Sequence, residues 1–102
     1  MKKPSLHLAP PPPQAIHLDN IQAFLDATRG QITIGEIPPI PRAAMAAEGK
    51  KVRAALVSRD ENETIVDLLL RLDAALDQYC EKGIVVDEVL PEIQRRRQAK
   101  SR

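Results

Sequence analysis

The run from Glu63 to Lys82 contains neither glycine nor proline and is bracketed by Asn62 and Gly83. Asn62 has an N-cap side chain, Glu63 sits where the positive end of a helix dipole favours an anion, and Gly83 is placed to stop the helix. Ile65, Leu69, Leu72, Leu76 and Tyr79 recur at intervals of 4, 3, 4 and 3, the spacing of a two-heptad seam. Leu68 and Ala75 widen that stripe, Val66 and Leu70 extend it to one flank, and Asp67 and Arg71 lie one turn apart on the polar side. A long helix over 63–82 therefore dominates any fold open to this chain. The expected class is mainly α: a small helical domain of three to four helices with one or two short extended segments and disordered N- and C-terminal tails.

The remaining elements are shorter. Residues 1–16 read as a disordered arm, because Pro10 to Pro13 lack backbone donors and favour polyproline II. Such a run also suits an aromatic-lined groove in a partner. Leu18, Ile21, Leu25 and Thr28, with Phe24 alongside, predict a helix from Leu18 to Arg29 that Gly30 ends. Gln31 to Ile37 alternates and contains three isoleucines, which predicts a short strand. Pro38, Pro39 and Pro41 hold Ile37 and Ile40 extended, and Pro41 is suited to begin a helix over about 42–48. Residues 51–57 fit two patterns. Met45, Val52 and Leu56 share a helical face, whereas Val52, Ala54 and Leu56 alternate as a strand with Lys51, Arg53 and Ala55. The alternation favours strand, and the choice stays open. After Gly83, Ile84 to Val86 reads as extended, and Asp87 can cap a last helix with Pro91 in its first turn and Val89, Leu90 and Ile93 inward. The domain is expected to span 17–94, with 95–102 as a basic tail.

Size makes association attractive. A 102-residue chain holds one domain, and 13 of its apolar residues are alanine, with Phe24 and Tyr79 the only aromatics. A core this small buries about two-thirds of its unfolded surface and gains from a second copy. No apolar run approaches the roughly 20 residues that span a bilayer, and Met1-Lys-Lys3 leads into Pro and His rather than an apolar leader core, so a cytoplasmic protein is expected. Cys80 has no disulfide partner, and with His7 and His17 it makes no metal-ligand set.

Catalytic chemistry finds little footing. Gly30, Gly35, Gly49 and Gly83 are isolated, so no phosphate-cradling loop is present, and Ser5, Ser58 and Ser101 lack a nucleophile-elbow context. Cys80 with His17 is a poor nucleophile pair, since Asp77 and Glu81 would raise the thiol pKa. The acidic residues from Asp60 to Glu88 follow a helix face and lack the calcium-loop pattern, which fits a solvated surface. No enzyme activity, cofactor, metal site or small-molecule substrate is expected.

Charge is unevenly placed. Residues 18–91 carry 8 cations against 13 anions, while 92–102 carry five cations against Glu92. The Arg95-Arg96-Arg97 cluster is the feature most suited to nucleic acid, because flexible cations neutralise phosphates and release counterions. The acidic middle and the scarcity of aromatics weigh for a solubilising or partner-docking tail.

Two resemblances follow from the second half. Ala55-Leu-Val-Ser-Arg-Asp-Glu-Asn-Glu-Thr-Ile-Val-Asp-Leu-Leu-Leu-Arg-Leu-Asp73, continuing to Ile84-Val-Val-Asp-Glu-Val89, resembles small uncharacterised proteins of bacterial plasmids and integrating elements, under half of the chain being covered. That likeness implies no particular activity. The order from residue 51 onward, an alternating strand, a helix ending at Gly83 and a capped second helix, is similar to the ribbon-helix-helix repressors. This second likeness implies a dimer that inserts a paired ribbon into the major groove, with Lys51, Arg53 and Ala55 facing bases and the start of the last helix, near Asp87 to Val89, meeting phosphate. The chain departs from that pattern in a longer first helix and in Asp87 and Glu88 at the phosphate position.

The functional expectation is a small interaction or dimerisation protein that pairs, as a homodimer or with a protein partner, through Ile65, Leu69, Leu72, Leu76 and Tyr79. The alternative is a DNA-binding repressor or accessory protein of ribbon-helix-helix type, with Lys51, Arg53, Arg95, Arg96 and Arg97 at the nucleic acid.

Overall fold

A computed structural model describes residues 16–100. The elements run α1 (Asp19–Ala27), β1 (Gln31–Ile37), β2 (Ile40–Glu48), β3 (Lys51–Val57), α2 (Ile65–Lys82), β4 (Val86–Asp87) and α3 (Val89–Lys100). The strands form one sheet in the order β1-β2-β3-β4, antiparallel except for the parallel β3–β4 pair. The fold is thus α/β, which corrects the mainly helical class expected from sequence.

The correction centres on residues 42–48, expected as helix and found inside β2. Alanine prefers helix by well under 1 kcal/mol per residue over most alternatives, a bias that tertiary packing easily overrides. Pro38 and Pro39 form the two-residue connection between Ile37 and its partner Ile40, which starts the strand extended. At its other end Gly49, with φ of +59°, takes the first central position of a two-residue hairpin that pairs Glu48 with Lys51. Between these turns Ala43, Ala44 and Ala46 are all fully buried, as are Ala54 and Ala55 on β3. Both faces of these two strands are covered, so apolar residues run continuously and the period-2 signature disappears. Residues 51–57, open between two patterns in the sequence, are strand.

Side chains sort onto two faces. Ala44, Ala46, Ala54 and Leu56 meet Ile21, Phe24, Leu68, Leu72, Ala75 and Leu76 from α1 and α2. On the opposite face Ile40, Ala43 and Ala55 pack with Val89 of α3, flanked by Met45, Val52, Val57 and Ile93. A register shift between Ala46 and Ala47 interrupts the β2–β3 ladder. This bulge inverts the parity of the strand, so Val52 lies on the α3 face although Ala54 and Leu56 lie on the other.

Helix ends follow local chemistry. Asp60 Oδ1 accepts from the amides of Asn62 and Glu63, and this turn moves the N-cap of α2 from the expected Asn62 to Thr64, whose hydroxyl accepts from Asp67 N at 3.0 Å. Gly83 ends α2 in the left-handed region, as expected. Asp87 Oδ1 accepts from Val89 N at 2.9 Å and Leu90 N at 3.0 Å, the expected cap of the last helix. That helix continues through Arg95, Arg96 and Arg97 to Lys100, so the basic segment expected as a disordered tail is helical up to that point. The proline run and His7 lie outside the described residues.

Candidate functional site

Of the five seam residues expected to meet a partner, Leu72 and Leu76 are fully buried by the chain's own sheet. Leu69 and Tyr79 are half-buried, and Ile65, in the first turn of α2, is 41% exposed. The buried arc centres instead on Leu68, Leu72, Ala75 and Leu76. Most of the stripe is therefore intramolecular core. Val66 and Leu70, on the flank, are the further open apolar side chains of α2.

Arg71 and Asp73, at the end of the stretch that resembles mobile-element proteins, tie four segments together. Arg71 donates from Nε to Glu63 Oε2 at 2.7 Å and from Nη2 to the Val57 carbonyl at 2.8 Å, and its Nη1 lies 3.7 Å from Glu88. Glu63 Oε1 also accepts from Arg59 N at 2.8 Å. Hydrogen bonding from Arg71 outweighs burial and lowers the Glu63 pKa to about 2, and Glu63 in turn raises that of Arg71. Glu88 Oε1 accepts from Val57 N at 3.0 Å. Arg71 thus pairs with Glu63 and Glu88 rather than with Asp67. Asp73 reaches the other way, to α1, accepting from Ile21 N at 2.8 Å and Asn20 Nδ2 at 3.0 Å. Leu18, the N-cap residue of α1, supplies no side-chain bond, so Asp73 provides the cap from another helix.

The cationic residues fall in two places. Lys51 is exposed at the start of β3, whereas Arg53, turned toward α2 by the bulge, bonds Glu48 Oε1 at 2.9 Å and lies 5.0 Å from the Tyr79 ring centre. Arg53 is thereby committed within the fold. On the side away from β2, β3 pairs with β4 at Ala54 and Ala55, so the middle of 51–57 is not a free edge for a ribbon shared between copies.

Arg95, Arg96 and Arg97 stand together with Pro38, Pro39 and Ala99 around a cleft of about 570 Å³. Glu92 accepts from Arg95 and, at 2.6 Å, from Arg96 Nε, and these bonds lower the Glu92 pKa to about 2, that from Arg95 counting most. Arg96 Nη1 also donates to the Pro39 carbonyl at 3.2 Å. Arg96 therefore joins α3 to the β1–β2 turn. Arg97 is exposed. On the same side of the sheet, Ile37, Met45, Val52, Ala55, Leu90 and Ile93 border a smaller, almost wholly apolar cleft of about 220 Å³.

Sequence reasoning missed the outer margin of the sheet. β1 is a seven-residue edge strand that, among the described residues, pairs only with β2. Ile34 pairs with Ala44, which belongs to the helix-covered face, yet Ile34 is 39% exposed. Ile32, two residues earlier, packs partly into the same core. The alternation of Ile32 and Ile34 around Thr33 was the available signal, since it defines one apolar side of a strand. β1 contains no lysine or proline, and its single charge, Glu36, falls where the register shifts between Gly35 and Ile37.

Cys80 is exposed and forms no disulfide. Among the described residues no His, Cys, Asp and Glu group could hold a metal, and no helix is long and apolar enough to cross a membrane. Comparison with known protein families, with curated proteins and with solved structures finds no match.

Proposed function

We propose that this protein is a non-enzymatic association module that forms a homodimer by antiparallel pairing of β1 with β1 of a second copy. The observation that carries this reading is the outer edge of β1, unpaired among the described residues, with Ile34 bare beside it. Natural sheets blunt such edges with lysine, proline, bulges or a covering segment; β1 has neither lysine nor proline, and its register shift and Glu36 fall at Gly35–Ile37, past the Ile32–Ile34 stretch that would pair. Facing residues of an antiparallel pair share a face, so a two-fold register must keep Ile32 and Ile34 on the helix side. Centring on Thr33 sets Ile32 of each copy against Ile34 of the other and gathers four isoleucines under one cover. Strand addition of this kind takes affinity from main-chain hydrogen bonds and register from side chains. A cytoplasmic setting, in which Cys80 stays a thiol, fits the reading.

The test is sedimentation across a concentration series, combined with oxidation of Thr33→Cys. Directly opposed strand residues lie within disulfide reach, so the cysteine variant is expected to cross-link as a dimer. Ile34→Lys is expected to leave a folded monomer. A wild-type chain that stays monomeric at every concentration overturns the proposal, as does a Thr33→Cys dimer no more abundant than one formed through Cys80 alone.

A further inference from the structure

The cleft between the Pro38–Pro39 turn and α3 is not used by strand pairing, and its charge is one-sided. Three guanidinium groups border it, and Glu92 is the carboxylate that bonds two of them. Arg95 and Arg96 share Glu92 between them, and Arg96 is held a second time by the Pro39 carbonyl. These bonds fix two cations in place without cancelling them, which lowers the ordering cost of receiving an anion. Arg97 adds an exposed charge that makes no ion pair among the described residues. Three cations on consecutive helical positions fan around the axis, so a single small anion cannot meet all of them. A polyanion with charges repeated along its length can.

We infer that this cleft receives the phosphate backbone of a nucleic-acid duplex. Guanidinium groups suit phosphate through paired N–H donors. The duplex is preferred to a single strand because no aromatic platform is available for unstacked bases: Phe24 is 3% exposed and Tyr79 is covered by Arg53. The contact reads backbone rather than bases, so it is indifferent to sequence.

The experiment titrates the full 102-residue chain against labelled 20-base-pair DNA and RNA duplexes of one sequence, with the single strands as comparators. Three phosphate contacts on DNA give a salt slope of about −2.7, or roughly a twenty-fold loss of affinity between 50 and 150 mM salt. The Arg97→Gln variant is expected to reduce that slope by about one unit, and replacing all three arginines by glutamine to abolish binding with the fold retained by circular dichroism. Replacing Lys2 and Lys3 by glutamine leaves binding in place. No binding to either duplex at 50 mM salt overturns the inference. Equal binding by the triple variant, or tighter binding to single strands, overturns it too.

Discussion

Asp73 on α2 accepts the backbone N–H of Ile21 on α1 at 2.8 Å, closing the start of a helix 52 residues earlier in the chain. The same carboxylate receives Asn20 Nδ2. A helix of nine residues is too short to persist by itself, so its retention depends on Ile21 and Phe24 in the core and on this borrowed cap. Asp73→Ala is expected to destabilise the protein by about 1–2 kcal/mol, with Asp73→Asn costing less because an acceptor remains. Thermal melting measures the loss, and faster hydrogen exchange at Ile21 than in α2 assigns it to α1.

Acid should loosen the junction around Arg71. Glu63 titrates near 2 when folded against an ordinary 4.5, so between those values the unfolded chain binds more protons. Stability contributed by Glu63 is therefore complete above about pH 4.5 and is lost as pH falls toward 2. Glu92 shifts in the same direction. Urea midpoints taken from pH 6 down to pH 2.5 are expected to fall. Glu63→Gln should flatten part of that slope, and an unchanged slope would remove Arg71–Glu63 from the explanation.

Two leucines on one helix should respond differently. Leu72 is fully buried against β2 and β3 while Leu70 is 42% exposed. Leu72→Ala is expected to cost about 2–5 kcal/mol. Leu70→Ala should remain within about 0.5 kcal/mol. Denaturant unfolding of the two variants decides the matter, and equal losses would place the buried arc of α2 elsewhere.

Gly30 is required for a reason other than ending a helix. A Cβ there would lie 2.5 Å from two atoms of the Phe24 ring and 2.9 Å from the Ala47 carbonyl oxygen. Its backbone φ is not positive, so the constraint is space alone. The ring belongs to the core and the carbonyl to a central strand, so neither yields readily. Gly30→Ala is expected to destabilise by about 1–3 kcal/mol, read as a lower melting temperature.

What could be read from the sequence was set by whether local chemistry and tertiary environment agreed. The body of α2, its stop at Gly83 and the Asp87 cap announce themselves because they depend on neighbours in sequence, whereas the N-cap falls on Thr64 rather than Asn62. β1 was legible through its isoleucines. β2 was not, because alanines buried on both faces carry no alternation and resemble helix. The heptad seam through Ile65 and Tyr79 missed the true centre of the buried arc, since α2 lies on a sheet and Ala75 fits closely where a larger side chain would hold it away. The arginine cluster was visible as composition. Its cleft was not, because Pro38 and Pro39 reach it only through the fold.

The sheet's two margins are unequal. At one end lies the full length of β1; at the other, β4 stops after two residues and the chain turns at once into α3. In a pair built through β1 as proposed, the two-residue β4 offers too little edge for a third copy. On that proposal the shortness of β4 separates a closed pair from an open-ended fibre, and extending that strand is expected to turn the pair into a polymer.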